Sequence, residues 1–140
     1  MPAADVWGVA LIAATAVHAG FQLTVTMLVY PALGDVQPES WHQAHTRHSR
    51  RIVPLVGVVY VCVLVTVVGS LVVALQPSAV MAAAASGIAV ALTGVVAAPI
   101  HGRLGRGRDL ALFRRLLWAD RWRSVFALVA LVGAIAGGVS

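Results

Sequence analysis

Four long apolar runs, separated by short segments that carry every basic residue, constrain this chain more than any other feature. A membrane helix needs about 20 mostly apolar residues at about 1.5 Å rise each. Val6–Tyr30, Ile52–Leu75, Ala79–Ile100 and the shorter Trp122–Val139 fit that need. Pro31 is expected to end the first run, Gln76-Pro77-Ser78 the second, and Pro99 with His101 the third. Of the 140 residues, 60% are hydrophobic and 11% charged, where a soluble domain has about 25% charged. Small domains bury only about two-thirds of their surface, so the excess apolar surface must face lipid. A soluble enzyme, a disordered chain and a disulfide scaffold are thereby excluded. The single cysteine, Cys62, also excludes an internal disulfide and a CxxC site. The expected fold is all-α: one integral membrane four-helix bundle over residues 1–140, with spans at about 6–30, 52–75, 79–100 and 122–139.

The charges predict an orientation. All ten basic residues other than histidine are arginines, and five acids leave a formal +5. Arg47, Arg50 and Arg51 lie between the first two runs, and the other seven lie between the third run and the start of the fourth. The positive-inside rule makes that side cytoplasmic and puts both termini outside, in a bacterial cytoplasmic (inner) membrane. Anionic lipid is then the expected partner of the arginines, and nucleic acid is not. No basic residue precedes Val6 and Asp5 sits in front of it, so the first run is expected to be a span rather than a signal peptide. Trp7 is expected to mark the outer interface, and Tyr30, Trp41, Trp118 and Trp122 the inner one.

Both basic segments are expected to be amphipathic helical extensions of the spans that follow them. Glu39–Arg51 has no Gly or Pro, and Pro54 would kink its continuation and free the Arg50 carbonyl. Asp109 is an N-cap candidate for a helix starting at Leu110. Small residues spaced by four predict close helix contacts at Gly133/Gly137, at Ala83/Gly87/Ala91 and at Gly94/Ala98. Cys62 reads as a small packing residue inside the second span.

Three polar groups are candidates for chemistry. His18 lies about midway along the first run, some 12 residues from either end. Ionisable groups at that depth are costly and face a bundle interior, a cavity or a ligand. Thr15, Gln22 and Thr26 share its helix face, so His18 and Gln22 are the catalytic candidates. A neutral histidine hydrogen-bonded to a neighbouring helix satisfies the same pattern. The second group is Glu39, His42, His45 and His48, each three residues apart. His42, His45 and His48, joined by His101 at the same membrane face, are candidate ligands for copper or zinc. A headgroup-touching interfacial helix is the alternative. A di-iron site is disfavoured because the chain has one glutamate. The third group comprises Trp118, Asp120, Arg121, Trp122 and Arg123. Asp120 can pair with Arg123 at i+3 or cross to an arginine of the other cytoplasmic segment, and Trp118, Arg121 and Arg123 are candidates to hold a cofactor or phosphate. Anchoring of the fourth span is the plainer role.

Two stretches carry a family likeness. One is Gly20-Phe21-Gln22 running through Val29-Tyr30-Pro31-Ala32-Leu33; the other is Ala98-Pro99-Ile100-His101-Gly102-Arg103-Leu104 with Leu116–Trp118 and Arg121-Trp122-Arg123-Ser124. Together they resemble the anthrone-oxygenase-like family of small four-helix membrane proteins. Here His101 stands where that family has Asn, and Ser124 where Thr is common. The resemblance implies a four-helix membrane fold and, for some relatives, oxygenation of anthrones to anthraquinones. A weaker likeness is to the bacterial integral-membrane protoporphyrinogen oxidases, which would imply haem bound through histidine.

The leading expectation is an oxidoreductase acting on a hydrophobic, aromatic or quinone-like molecule in a membrane pocket around His18 and Gln22. The rivals are a non-catalytic subunit or scaffold, as a homo-oligomer or in a larger membrane complex, and a haem- or metal-binding membrane protein. An enzyme is expected to have a concave pocket reaching His18, and a scaffold to have His18 packed shut and an apolar groove outside.

Overall fold

The computed structural model describes residues 2–138 and is built of helices. Four are long and apolar enough to cross a membrane: α1 (Ala3–Gly34), α2 (Pro38–Val73), α3 (Pro77–Leu104) and α4 (Leu110–Gly138). The protein is a multi-pass membrane four-helix bundle. Val139, the last residue of the expected fourth span, lies outside the described residues.

The helices are longer than the apolar runs because both basic segments are helical. The expected extension before the second span is continuous with it, opening on a 3-10 turn at Pro38–Ser40 and running past Pro54 to Val73. Asp109 caps α4 as expected: its Oδ1 accepts the amides of Ala111 at 2.8 Å and Leu112 at 3.0 Å. The first turns of α4 are amphipathic. Leu112, Phe113 and Leu116 are buried, while Arg114, Arg115 and Trp118 are exposed.

Pro31 and Pro99 do not end their helices. Each follows a π-helical turn, Val25–Val29 in α1 and Thr93–Ala97 in α3. The amide just before each proline bonds five residues back, Tyr30 to the Val25 carbonyl and Ala98 to the Thr93 carbonyl. A proline cannot donate to the carbonyl four residues behind it. The wider turn shifts the register ahead of that missing donor, and the helix continues. Insertions of this kind gather at functional sites.

Around the bundle the order is α2, α1, α4, α3; the α3–α4, α1–α4 and α1–α2 pairs pack closely, and α2–α3 is the loosest of the neighbouring pairs. Burial along α2 shows the same thing. Trp41 and His45 are buried at one end and Val63, Val67 and Ser70 at the other, with no fully buried residue between. Two apolar clusters form the core. One, at the arginine-rich end, includes Tyr30, Trp41, Leu104, Phe113 and Leu116. The other includes Leu11, Val63, Val67, Ala82 and Ala134. Polar side chains fill the layer between them.

Small residues do bring α3 and α4 together, in a different register from part of the expectation. A side chain added at Gly133 would meet the Ala82 amide nitrogen at 3.0 Å and the Ser78 carbonyl at 3.1 Å. On α3 the buried stripe is Ala82, Ala85, Ser86 and Ala89, whereas Gly87, Ala91, Gly94 and Ala98 are exposed. Spacing by four fits several faces of an alanine-rich helix, so composition hid the choice of face. Cys62 is exposed rather than packed. Tyr30 and Trp41, expected at the interface, are buried, while Trp118 and Trp122 are exposed. The Trp41 indole donates to the Leu104 carbonyl at 2.9 Å and stacks on His45, tying α2 to the end of α3.

The close α3–α4 contact makes a clear expectation. Gly133→Leu should destabilise the protein in detergent by about 1–3 kcal/mol through overpacking. Gly87→Leu, where nothing lies within 4 Å, should leave the thermal midpoint near wild type. Thermal unfolding followed by circular dichroism checks both.

Candidate functional site

The polar layer begins on the inner face of α1. Thr15, His18 and Gln22 are fully buried, one helical turn apart, as their spacing requires. Threonine hydroxyls in the apolar segments are satisfied along their own helices: Thr15 donates to the Leu11 carbonyl at 2.7 Å and Thr93 to that of Ala89 at 2.9 Å. Gln22 reaches across to α4, where Nε2 donates to Asp120 Oδ1 at 2.5 Å. The Thr26 hydroxyl donates to Asp120 Oδ2 at 2.5 Å and lies 2.7 Å from that of Ser124.

Asp120 and Arg123 form the centre of the layer. Their side chains are 1% and 5% exposed, with Arg123 Nη1 3.5 Å from Asp120 Oδ1. This is the i+3 pair expected from the sequence, but it lies inside the bundle rather than at its rim. Arg123 Nη2 donates to the Tyr60 hydroxyl at 3.5 Å, and that hydroxyl lies 2.5 Å from Thr93 Oγ1. Each of the four helices therefore supplies a polar group to the pair or to its partners.

A cavity of about 540 Å³ lies above this layer, at the loosely packed seam between α2 and α3. Its apolar wall includes Phe21, Val25, Ile52, Val53 and Val56; its polar wall includes Tyr30, His45, His48, His101, Thr93 and Arg123. Val53 is exposed on the outside of α2, so the cavity lies beside the lipid-facing surface. On the polar wall Tyr30 OH is 3.0 Å from His101 Nε2, and His101 Nδ1 is 3.3 Å from His45 Nε2. Two proton arrangements satisfy both contacts: Tyr30 donates to His101 and His101 to His45, or His45 donates to His101 and His101 to Tyr30. The His48 ring stacks on His101 at 5.8 Å. This makes a hydrogen-bonded row from α1 through α3 to α2.

The residues singled out in the sequence therefore take different places. Arg123, His45, His48 and His101 line the cavity. His42 is exposed at the rim and bonds the Gly105 carbonyl at 3.2 Å. Trp118 and Arg121 are exposed and do not line it. His18 and Gln22 lie under its floor and are absent from its lining. His18 packs edge-on against Tyr60, with ring centroids 5.3 Å apart. Neither of its ring nitrogens has a hydrogen-bonding partner among the described residues, nor has Gln22 Oε1 or Arg123 Nε. Both nitrogens of His101 are already engaged, by Tyr30 and His45. Among the described residues no three His, Cys, Asp or Glu side chains converge to hold a metal ion.

Besides Thr93, two site residues escaped the sequence reading, Tyr30 and Tyr60. They are the chain's only tyrosines, and both sit in apolar runs. A hydroxyl in such a run needs a partner, which was the available signal. Comparisons with protein-family models, curated proteins and solved structures gave no match to this chain.

The buried pair has a stability signature. Removing one member leaves an uncompensated buried charge, a loss of about 3–5 kcal/mol. Asp120→Ala should show that loss in denaturant unfolding in detergent micelles. The double variant Asp120→Leu/Arg123→Met should recover most of it, since replacing both charges with apolar groups of similar volume is often close to neutral.

Proposed function

We propose that this protein takes a hydrophobic, quinone-like aromatic molecule from the bilayer into the α2–α3 cavity and exchanges a proton with its ring oxygen. The observation that carries this reading is the cavity itself: an apolar wall beside the lipid-facing surface, closed at one end by Arg123 and the Tyr30–His101–His45 row. An aromatic body suits Phe21, Val25 and Val56. A ring oxygen suits the Arg123 guanidinium, whose buried Nε has no other partner among the described residues. Charge-assisted hydrogen bonds to such an oxygen contribute about 1.5–3 kcal/mol each.

The chemistry is general acid–base transfer at a phenol or enol oxygen. Arg123 holds the oxygen, Tyr30 gives or takes its proton, and His101 and His45 pass that proton towards the arginine-rich end. This is the proton-handling half of the oxidation of an anthrone or hydroquinone. The likeness to anthrone-oxygenase-like proteins points to the same substrate class. In this reading Gln22 braces Asp120 from below, and His18 supports Tyr60 instead of meeting substrate. The arginine-rich end faces the cytoplasm of a bacterial inner membrane, where exposed arginines meet anionic lipid.

Isothermal titration of the detergent-purified protein with menadione, a neutral naphthoquinone, tests the binding. Val56→Trp, which fills the cavity, and Arg123→Gln, which removes the charge, should each weaken binding by roughly tenfold or more. Val72→Trp, on an exposed face remote from the cavity, should bind as wild type does. Equal affinity in all four proteins contradicts the proposal.

A further inference from the structure

A second cavity, of about 440 Å³, lies on the other side of α1, between α1 and α4. Its lining includes Thr26, Tyr30, Gly34, Asp35, Asp120 and Arg121. Tyr30 is common to both cavities; Asp120 lines only the second, and Arg123 only the first. The ion pair therefore spans the wall between two spaces. Asp35 and Arg121 are exposed, and Asp35 follows directly after the end of α1. The second cavity thus connects the buried carboxylate to the arginine-rich surface by a way that avoids the ligand.

Arg123 is the cation facing the ligand pocket and also the countercharge of Asp120. With carboxylate and guanidinium both ionised, their combined formal charge is zero. A ligand that brings a negative oxygen to Arg123 makes the group of three negative by one. An uncompensated charge in such an apolar site is strongly disfavoured. One proton taken up by Asp120 restores neutrality. The other titratable and charged groups facing the pair are Tyr30 from α1, Tyr60 from α2 and His101 from α3, with Arg121 from α4 and Asp35 at the mouth. His18 lies a layer below, against Tyr60. Of these, Asp120 alone combines a direct ion pair with Arg123 and a place on the second cavity.

We propose that Asp120 couples the binding of an anionic ligand at Arg123 to the uptake of one proton through the second cavity, so that the site accepts a phenolate or enolate without a net change in charge. This rests on the ligand-binding reading above. The proton adds to one carboxylate oxygen of Asp120, and no covalent bond of the ligand changes. Linkage then requires affinity for an anionic ligand to fall about tenfold for each pH unit wherever the free carboxylate is ionised. A neutral ligand shows no such slope.

The probes are lawsone, a hydroxynaphthoquinone that is an anion at neutral pH, and menadione, its neutral methyl analogue. Titrating the full chain in detergent, in buffers of different ionisation enthalpy, counts the protons taken up with each. About one proton is expected with lawsone and none with menadione. Asp120→Asn should bind lawsone with no uptake and a flat pH dependence. Wild-type protein carrying isotope-labelled aspartate gives a second measure that does not depend on the variant folding. Its difference infrared spectrum should gain an isotope-sensitive carboxylic-acid band when lawsone binds. Lawsone binding without proton uptake, uptake unchanged in Asp120→Asn, or no such band overturns the coupling and leaves the ligand-binding reading standing. Failure of both probes to bind overturns both.

Discussion

A guanidinium and a carboxylate 3.5 Å apart inside an apolar bundle set conditions on everything around them. In a bilayer core no water competes for their hydrogen-bonding groups, so neighbouring helices must supply the partners. That demand explains why Gln22 and Thr26 of α1, Tyr60 of α2 and Thr93 of α3 all lie at one level. It also explains the sandwich: apolar clusters above and below, with the polar layer confined between them. The layer also gives the cavity a polar floor, the partly satisfied guanidinium of Arg123.

The helix geometry around the pair is tuned to leave room. Close α3–α4 packing through Gly133 holds one side of the bundle shut. On the other, α2 is fastened by Trp41 to the Leu104 carbonyl, by Tyr60 to Thr93 and by Ser70 to the Trp7 carbonyl at 3.2 Å, and the seam with α3 opens between Trp41 and Tyr60. The π-turns, Val25–Val29 on α1 and Thr93–Ala97 on α3, both border this gap. They carry Val25, Thr93 and Ala97 into the cavity wall and deliver Tyr30 and His101, just beyond, to hydrogen-bonding distance. Each half of the chain shows the same run of span, proline and basic segment. In both halves the proline stands just past a π-turn, and in both the residues around it reach the site.

Much of this was legible in the sequence because it depends on local rules. Apolar length gave the number of spans, Asp109 gave the start of α4, and the spacing of Thr15, His18 and Gln22 gave a shared buried face. The i+3 spacing of Asp120 and Arg123 allowed their pairing, one of two open to Asp120, and the structure shows that one. What stayed hidden depends on helix rotation and on contacts distant in sequence. Arg123 follows nine arginines that all sit nearer the polar end, and only its rotation on α4 turns it inward. Ala83/Gly87/Ala91 and the true stripe Ala82–Ala89 have similar composition on different faces. Pro31 reads as a helix end unless the π-turn before it is known. The pocket was expected at His18, the most conspicuous polar residue in the first run, yet the open space lies nearer the arginine-rich end, where α2 stands away from α3.

The α2–α3 seam is an open cavity rather than a packed core. Ala97 is 2% exposed and lines it, while Ala89, at 0%, sits two helical turns away in the packed stripe. Single cysteines at these two positions, in a Cys62→Ala background, can be followed with a small membrane-permeant maleimide in vesicles. The expected result is prompt modification at position 97 that slows when menadione is present, with no modification at position 89. Equal inertness at both positions, or labelling at 97 that menadione does not slow, would contradict the account.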